Sequence, residues 1–175
     1  QGLNALSIGE IASSVGIVPS AVYRHFQSKE SVLDSVLEFL HERLLQNVSI
    51  VRNESVQALE RLRLLMMRHV RLLDENRAIP PVIFSDGIYN GDPNRKSAVR
   101  KIMSQYLGKV EEIVQEGQRE GTIRDDLEPQ TISLMFLGMI LPAVVFRNAS
   151  DGNFDVIEHA EKAWPAFARG ISRSG

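Results

Sequence analysis

The 175-residue sequence contains no cysteine. Disulfides and thiolate metal sites are therefore excluded, which suits a reducing cytoplasm. No basic segment followed by an apolar stretch opens the chain, so no signal peptide is expected. The most apolar run, Ile132 to Phe146, contains Pro142. Taken alone it is shorter than the ~18–20 residues a membrane span requires, and no membrane partner is expected. Positive charge is not in excess either. The formal net charge is -2, and the segment from Gln1 to Asn47 sets Arg24, Lys29 and Arg43 against Glu10, Glu30, Asp34, Glu38 and Glu42. Nucleic-acid binders usually carry a basic face, so a DNA-binding reading must rest on motif spacing and not on composition. The sequence also lacks a phosphate loop, a G-x-S-x-G elbow and paired histidines at metal-binding spacing. Its four histidines stand apart at positions 25, 41, 69 and 159. No catalytic residue, metal ligand or cofactor is expected, and the chain is not read as an enzyme.

What is present is enough for a packed core. Hydrophobic residues make up 43% and charged residues 24% of the chain, an ordinary globular composition. The length allows one domain, or a small domain fused to a larger one. Apolar residues recur at spacings of three and four, and no alternating β-branched stretch competes, so the predicted class is all-α. Ser55 to Asn76 carries Leu59, Leu62, Met66, Val70 and Leu73. Asn94 to Glu120 carries Ile102, Tyr106, Val110, Ile113 and Val114, and closes at Gly121. Pro129 to Asn148 is apolar nearly all round, and Phe154 to Arg173 carries Ile157, Ala160, Trp164, Phe167 and Ile171. Turns are expected at Pro80-Pro81, Gly91-Asp92-Pro93, Gly121, Glu128-Pro129 and Asp151-Gly152.

The first thirty residues hold the most specific pattern. Ser7 and Glu10 form a capping box, in which each side chain satisfies a backbone donor at a helix start, and Leu6 with Ile11 can form the hydrophobic staple. Ile8, Ile11, Ala12 and Val15 share one face, and Gly16 can take the left-handed conformation that ends a helix. Pro19 suits the first turn of the next helix, on which Val22 and Phe26 point the same way. Small Ala12, turning Gly16 and plugging Val22 stand where a helix-turn-helix needs them. Ser28 then caps a third helix, Lys29 to about Val48, with Val32, Leu33, Val36, Leu37 and Leu40 as its buried stripe. Any two short amphipathic helices joined by glycine share part of this geometry.

The wider string discriminates further. Ser7-Ile8-Gly9-Glu10-Ile11-Ala12, Gly16-Ile17, Tyr23-Arg24-His25-Phe26 and Ser28-Lys29-Glu30 together resemble the DNA-binding domain of the tetracycline-repressor family. Two departures stand out. Val18 occupies the position where the family usually places Ser or Thr, which loses a cap of about 1 kcal/mol. Family members also carry a helix before this motif, and because the sequence begins at Gln1 that first helix is expected to be missing.

The resemblance implies a helix-turn-helix DNA-binding domain with its connecting helix over residues 1–48. A helical effector-binding and dimerisation domain is implied over 49–175. A recognition helix in the major groove presents its N-terminal residues to base edges. Pro19, Ser20, Ala21 and Arg24 are the expected readers, with Ser7 at the start of the preceding helix. Tyr23, His25 and Lys29 are the phosphate contacts the resemblance implies, and their phenol, imidazole and ammonium groups are suitable donors. The expected partners are double-stranded operator DNA, a second copy of the chain and an unidentified small effector.

The uniformly apolar segment Thr131 to Phe146 is either central in a core or shared with a partner. Leu134, Leu137, Leu141, Val145, Trp164, Phe167 and Ile171 are the expected homodimer interface, with kinks expected at Pro142 and Pro165. Met66, His69, Val70, Phe84, Met103, Tyr106, Phe136 and Met139 are the candidate lining of an effector pocket for a small, largely apolar molecule. Methionine adapts to varied apolar shapes, and His69 or Tyr106 could orient a polar group. The function expected is a ligand-responsive transcriptional repressor released from a palindromic operator. The alternative is a helical small-molecule-binding module without a DNA-binding role.

Overall fold

The structure, a computed structural model, describes residues 28–77, 79–85, 88, 92–150 and 153–173. The chain divides into two compact units. One comprises Gln1–Arg43 with Glu75–Met103, the other Leu44–Asp74 with Ser104–Gly175. Among the described residues the regular elements are all α-helices, together with one isolated antiparallel bridge between Ile123 and Ser172.

Helix α1, Lys29–Glu54, begins on a reciprocal cap. The Ser31 amide donates to Ser28 Oγ at 3.2 Å, and the Ser28 amide donates to Ser31 Oγ at 3.2 Å. The helix runs past the expected end near Val48 because its stripe continues. Val32, Leu33, Leu37 and Leu40 are buried in the first unit, and Leu44, Val48 and Val51 in the second. Helix α2, Ala58–Glu75, buries Leu62, Leu65, Met66, His69, Val70 and Leu73 on one side. Full burial of each such aliphatic side chain stabilises the fold by about 1.5–3 kcal/mol before entropy is counted.

The turn expected at Pro80-Pro81 is corrected: both residues lie in a short helix α3, Ile79–Ile83. A proline in the first helical turn lacks an N–H that would have had no intrahelical acceptor. Helix α4, Pro93–Arg119, starts on Pro93, which the sequence reading assigns to the preceding turn, and the Asn94 amide donates to Asp92 Oδ1 at 2.8 Å. It ends at Gly121, whose φ of 73° is a left-handed conformation open to glycine. The Thr122 and Ile123 amides both donate to the Gly117 carbonyl there, at 2.9 and 3.0 Å. Gly117 is fixed by packing. A Cβ at that position would lie 2.6 and 2.7 Å from Ile123 side-chain carbons and 2.9 Å from Ala58 Cβ.

Helix α5, Pro129–Ala149, is 21 residues long. It is long and apolar enough to cross a membrane by length and composition, a test that core helices also pass, so the length argument drawn from Ile132–Phe146 does not by itself decide against a span. In the second unit it is a core helix along one side, burying Ile132, Phe136, Leu137, Ile140, Ala143 and Val144. Helix α6, Val156–Ile171, opens on Asp155, whose Oδ1 accepts from the Ile157 and Glu158 amides at 2.9 Å each. It packs on α5 through Phe136 and Phe167, with ring centroids 6.3 Å apart. Pro142 and Pro165 both lie inside their helices, which continue through them.

Candidate DNA-binding and effector sites

Ser7, Pro19, Ser20, Ala21, Tyr23, Arg24 and His25 lie outside the described residues. Lys29 is the first residue of α1, and the reciprocal serine cap fixes the backbone there. Within the first unit, Arg95 of α4 grips Asp34 of α1. Its Nε donates to one carboxylate oxygen at 2.7 Å and a terminal nitrogen reaches the other at 3.4 Å. The Asp34 carboxylate raises the Arg95 pKa above its ordinary value, aided by the charges of Asp92 and Glu30.

In the second unit two of the candidate pocket residues share one polar contact. His69 Nδ1 lies 3.0 Å from Tyr106 Oη, with the rings edge to face at 5.1 Å between centroids. Both side chains are buried. Burial pushes the His69 pKa down to about 4 and the Tyr106 phenol up. A neutral imidazole thus faces a protonated phenol at neutral pH, and either can supply the hydrogen of the bond. Met66, Val70 and Phe136 are buried and Met139 is half-buried in the same unit, while Phe84 and Met103, half-buried, belong to the first. A groove of ≈ 440 Å³ in the second unit is lined instead by Glu54, Arg63, Leu64, Met67, Arg68, Arg71 and Glu161. Among the described residues no group of three His, Asp or Glu is placed to hold a metal ion.

The expected dimer residues separate into two sets. Leu137, Phe167 and Ile171 are buried in this chain's own core, Leu141 and Trp164 are half-buried, and Leu134 and Val145 are exposed. For Leu137, Phe167 and Ile171 the burial within one chain leaves little side-chain surface for a partner. Sequence reasoning missed Met135 and Phe146, which are 49% and 59% exposed beside Leu134 and Val145. An all-apolar helix gives no phase by which to find them.

It also missed two ionic clusters. Arg147 of α5 is buried and pairs with Asp74 of α2. Glu116 of α4 accepts from Arg52 at 2.8 Å and from Arg61 at 2.6 Å, and Arg61 Nε also donates to the Ser55 carbonyl at 2.6 Å. That cluster clamps the turn between α1 and α2 onto α4. Ion pairs between helices leave no periodic mark in a sequence.

Two family descriptions match the chain: "Bacterial regulatory proteins, tetR family" over residues 1–36 and "Tetracyclin repressor-like, C-terminal domain" over residues 55–145. The nucleoid occlusion factor SlmA of Vibrio vulnificus is 21% identical over 172 residues, which cover 98% of this chain and 87% of SlmA. The ketosteroid transcriptional regulator KstR2 of Mycobacterium tuberculosis superposes with a TM-score of 0.79 at 20% identity, covering 99% of this chain and 88% of KstR2. The transcriptional regulator FadR of Bacillus subtilis, solved in complex with stearoyl-CoA, gives a TM-score of 0.69 at 20% identity over 97% of this chain and 91% of FadR. At such identities the structural likeness establishes the fold.

Proposed function

The chain belongs to the tetracycline-repressor family of bacterial transcriptional regulators, not to an enzyme family, and from that premise we propose a homodimeric repressor released from a palindromic operator by an apolar effector. The observation that carries this reading is the pair of family matches, which together reach from the helix-turn-helix into the helical second half. Residues 1–48 would bind DNA in the cytoplasm through Ser7, Pro19, Ser20, Ala21, Tyr23, Arg24, His25 and Lys29. Residues 49–175 would bind effector and dimerise.

The dimer reading draws support from α5. Among the described residues the exposed large hydrophobics are Val56 and four on α5: Leu134, Met135, Val145 and Phe146. Gly138, between the two pairs, has open space where a Cβ would stand. An apolar stripe left in water marks an interaction face, and a two-fold axis crossing near Gly138 would let two such helices approach closely. Phe146→Glu is expected to give a monomer by analytical ultracentrifugation without loss of helix content.

The effector reading draws support from the buried His69–Tyr106 pair, a polar contact that could orient one polar group of an otherwise apolar ligand. KstR2 is described as a ketosteroid transcriptional regulator and FadR as a complex with stearoyl-CoA; a steroid nucleus and a stearoyl chain are both bulky apolar groups. A ligand that binds one conformation better shifts the population toward it. Helix α1 joins the proposed DNA-binding residues to the second unit and would carry that shift.

The test is footprinting on the DNA upstream of the regulator's own gene, with and without a panel of steroids and acyl thioesters. A protected palindrome that is released by one of them is expected. No binding to that DNA would leave the helical ligand-binding module as the reading. A ligand that saturates the protein without changing DNA affinity would remove the switch.

A further inference from the structure

Lys96 and Arg100 stand four residues apart on the first part of α4, which places them on one face. Both are exposed, and with Pro93, Ser97 and Val99 they line a shallow groove of ≈ 330 Å³. Their segment, Arg95 to Lys101, holds four cations and no acid in a chain of net charge -2. Two acids near this end of the helix are already engaged. Asp34 is held by Arg95 at 2.7 Å, and Asp92 accepts the Asn94 amide at 2.8 Å. Lys101 borders a separate groove with Asp34, Glu38 and His41.

Lys96 and Arg100, by contrast, make no ion pair among the described residues. In the second unit Arg52, Arg61, Arg63, Arg68 and Arg147 are each paired with a carboxylate, while Arg71 and Arg119 stand apart from each other without an ion pair among the described residues. Two neighbouring cations without an ion pair among the described residues repel each other. They suit a polyanion, and Ser97 between them adds a hydroxyl donor of the kind that contacts phosphate oxygens.

We propose that Lys96 and Arg100, with Ser97 between them, form an auxiliary phosphate-binding site for duplex DNA, separate from the helix-turn-helix. The site lies in the compact unit that also contains residues 1–43. It supplies the positive charge that Gln1 to Asn47 lacks, where three cations meet five acids. The inference rests on the DNA-binding reading above. Its contribution is independent of sequence, since phosphate contacts fix position and carry no base information.

The test compares the full-length regulator with Lys96→Ala/Arg100→Ala and with a charge-matched control, Arg71→Ala/Arg119→Ala, whose exposed cations lie in the second unit. Fluorescence anisotropy over a salt series gives the slope of log affinity against log salt, on the upstream DNA and on an unrelated duplex of equal length. Each lost phosphate contact lowers the slope by about 0.9, so the double variant should lose about 1.8 on both duplexes. The control should keep its slope, and Lys96→Arg/Arg100→Lys should retain that of the parent. An unchanged slope in Lys96→Ala/Arg100→Ala, with parent binding intact, overturns the proposal and leaves the strip to an acidic protein partner. An equal loss in the control also overturns it, because net charge and not contact is then responsible. A parent protein that binds neither duplex defeats the DNA-binding reading itself, an outcome distinct from both.

Discussion

Replacing Asp74 by alanine strands a guanidinium. The Arg147 side chain is 4% exposed, whereas Asp74 keeps 31% of its surface in water. Asp74 is the carboxylate that pairs with it, and the bond that Arg147 also donates to the Leu73 carbonyl is long at 3.5 Å. Breaking a buried pair by removing one partner costs roughly 3–5 kcal/mol, because the remaining charge is uncompensated. Water already reaches the Asp74 side of this pair, so Asp74→Ala should cost about 2–4 kcal/mol. Arg147→Met removes the buried charge itself and fills the space with an apolar chain. It leaves a carboxylate that water can solvate, and should cost about 1 kcal/mol or less. The order of the two effects is the content of the prediction. Urea unfolding followed by circular dichroism measures it, at one protein concentration because association would otherwise shift the midpoint. With a slope of about 1–3 kcal/mol/M, a loss of ~3 kcal/mol moves the midpoint by about 1–3 M. The double variant Asp74→Ala/Arg147→Met should recover most of the loss seen in Asp74→Ala. If Arg147→Met proves as destabilising as Asp74→Ala, the argument from a stranded buried charge is wrong.

Three further outcomes follow from the same core. Gly117→Ala places a methyl group within 3 Å of Ile123 and Ala58, and should destabilise by about 1–3 kcal/mol in thermal or chemical melts; a neutral result would show that Ile123 can swing away freely. His69 has a folded pKa of about 4 against an ordinary 6.5, so between those values the unfolded chain binds a proton that the folded chain refuses. Stability from this group is full above pH ~6.5 and falls as the pH drops toward 4, by about 3 kcal/mol for the whole interval. His69→Gln, which keeps a hydrogen-bonding group but does not titrate, should remove that part of the stability–pH profile, and a difference profile that stays flat from pH 6.5 to 4 would refute the assignment. Asp155→Ala frees the Ile157 and Glu158 amides at the start of α6 and should cost about 1 kcal/mol, whereas Asp155→Asn, which can still accept, should cost less; equal losses would count against the cap.

Helices and their ends were legible wherever one residue's chemistry decides the local backbone. Pro129 opens a helix, Gly121 closes one, and Ser28 caps one, each for a reason carried by that residue alone. Pro80-Pro81 misled because proline is compatible both with a turn and with the first turn of a helix, and the choice between them lies in the burial of Ile79 and Val82. The end of α1 was read too early because Leu44, Val48 and Val51 continue a stripe across Arg43 and Asn47, where the surface face happens to be polar. The candidate pocket was legible as a list of types but not as a geometry. His69 and Tyr106 are 37 residues apart in the chain, and their contact depends on the register of α2 against α4, which neither helix encodes alone.

Helix α5 explains why the most apolar segment was the least informative. Amphipathic helices carry their orientation in the alternation of polar and apolar residues, and from Pro129 to Phe146 only Gln130, Thr131 and Ser133 break the apolar run. Two physical demands produce that sequence together. Ile132, Phe136, Ile140 and Val144 follow the three-to-four spacing that fills this chain's core, while Leu134, Met135, Val145 and Phe146 repeat a second stripe that the core does not need. A helix that met only the first demand would gain solubility by placing charge on its outer face. The one charged residue at this end, Arg147, instead points inward to Asp74, opposite to what hydrophobicity alone would assign. Burying that guanidinium frees the outer face from charge up to Phe146. A segment that reads as uniformly apolar is thus two different surfaces, distinguishable only once the rotation of the helix about its axis is fixed by Arg147 and Phe136.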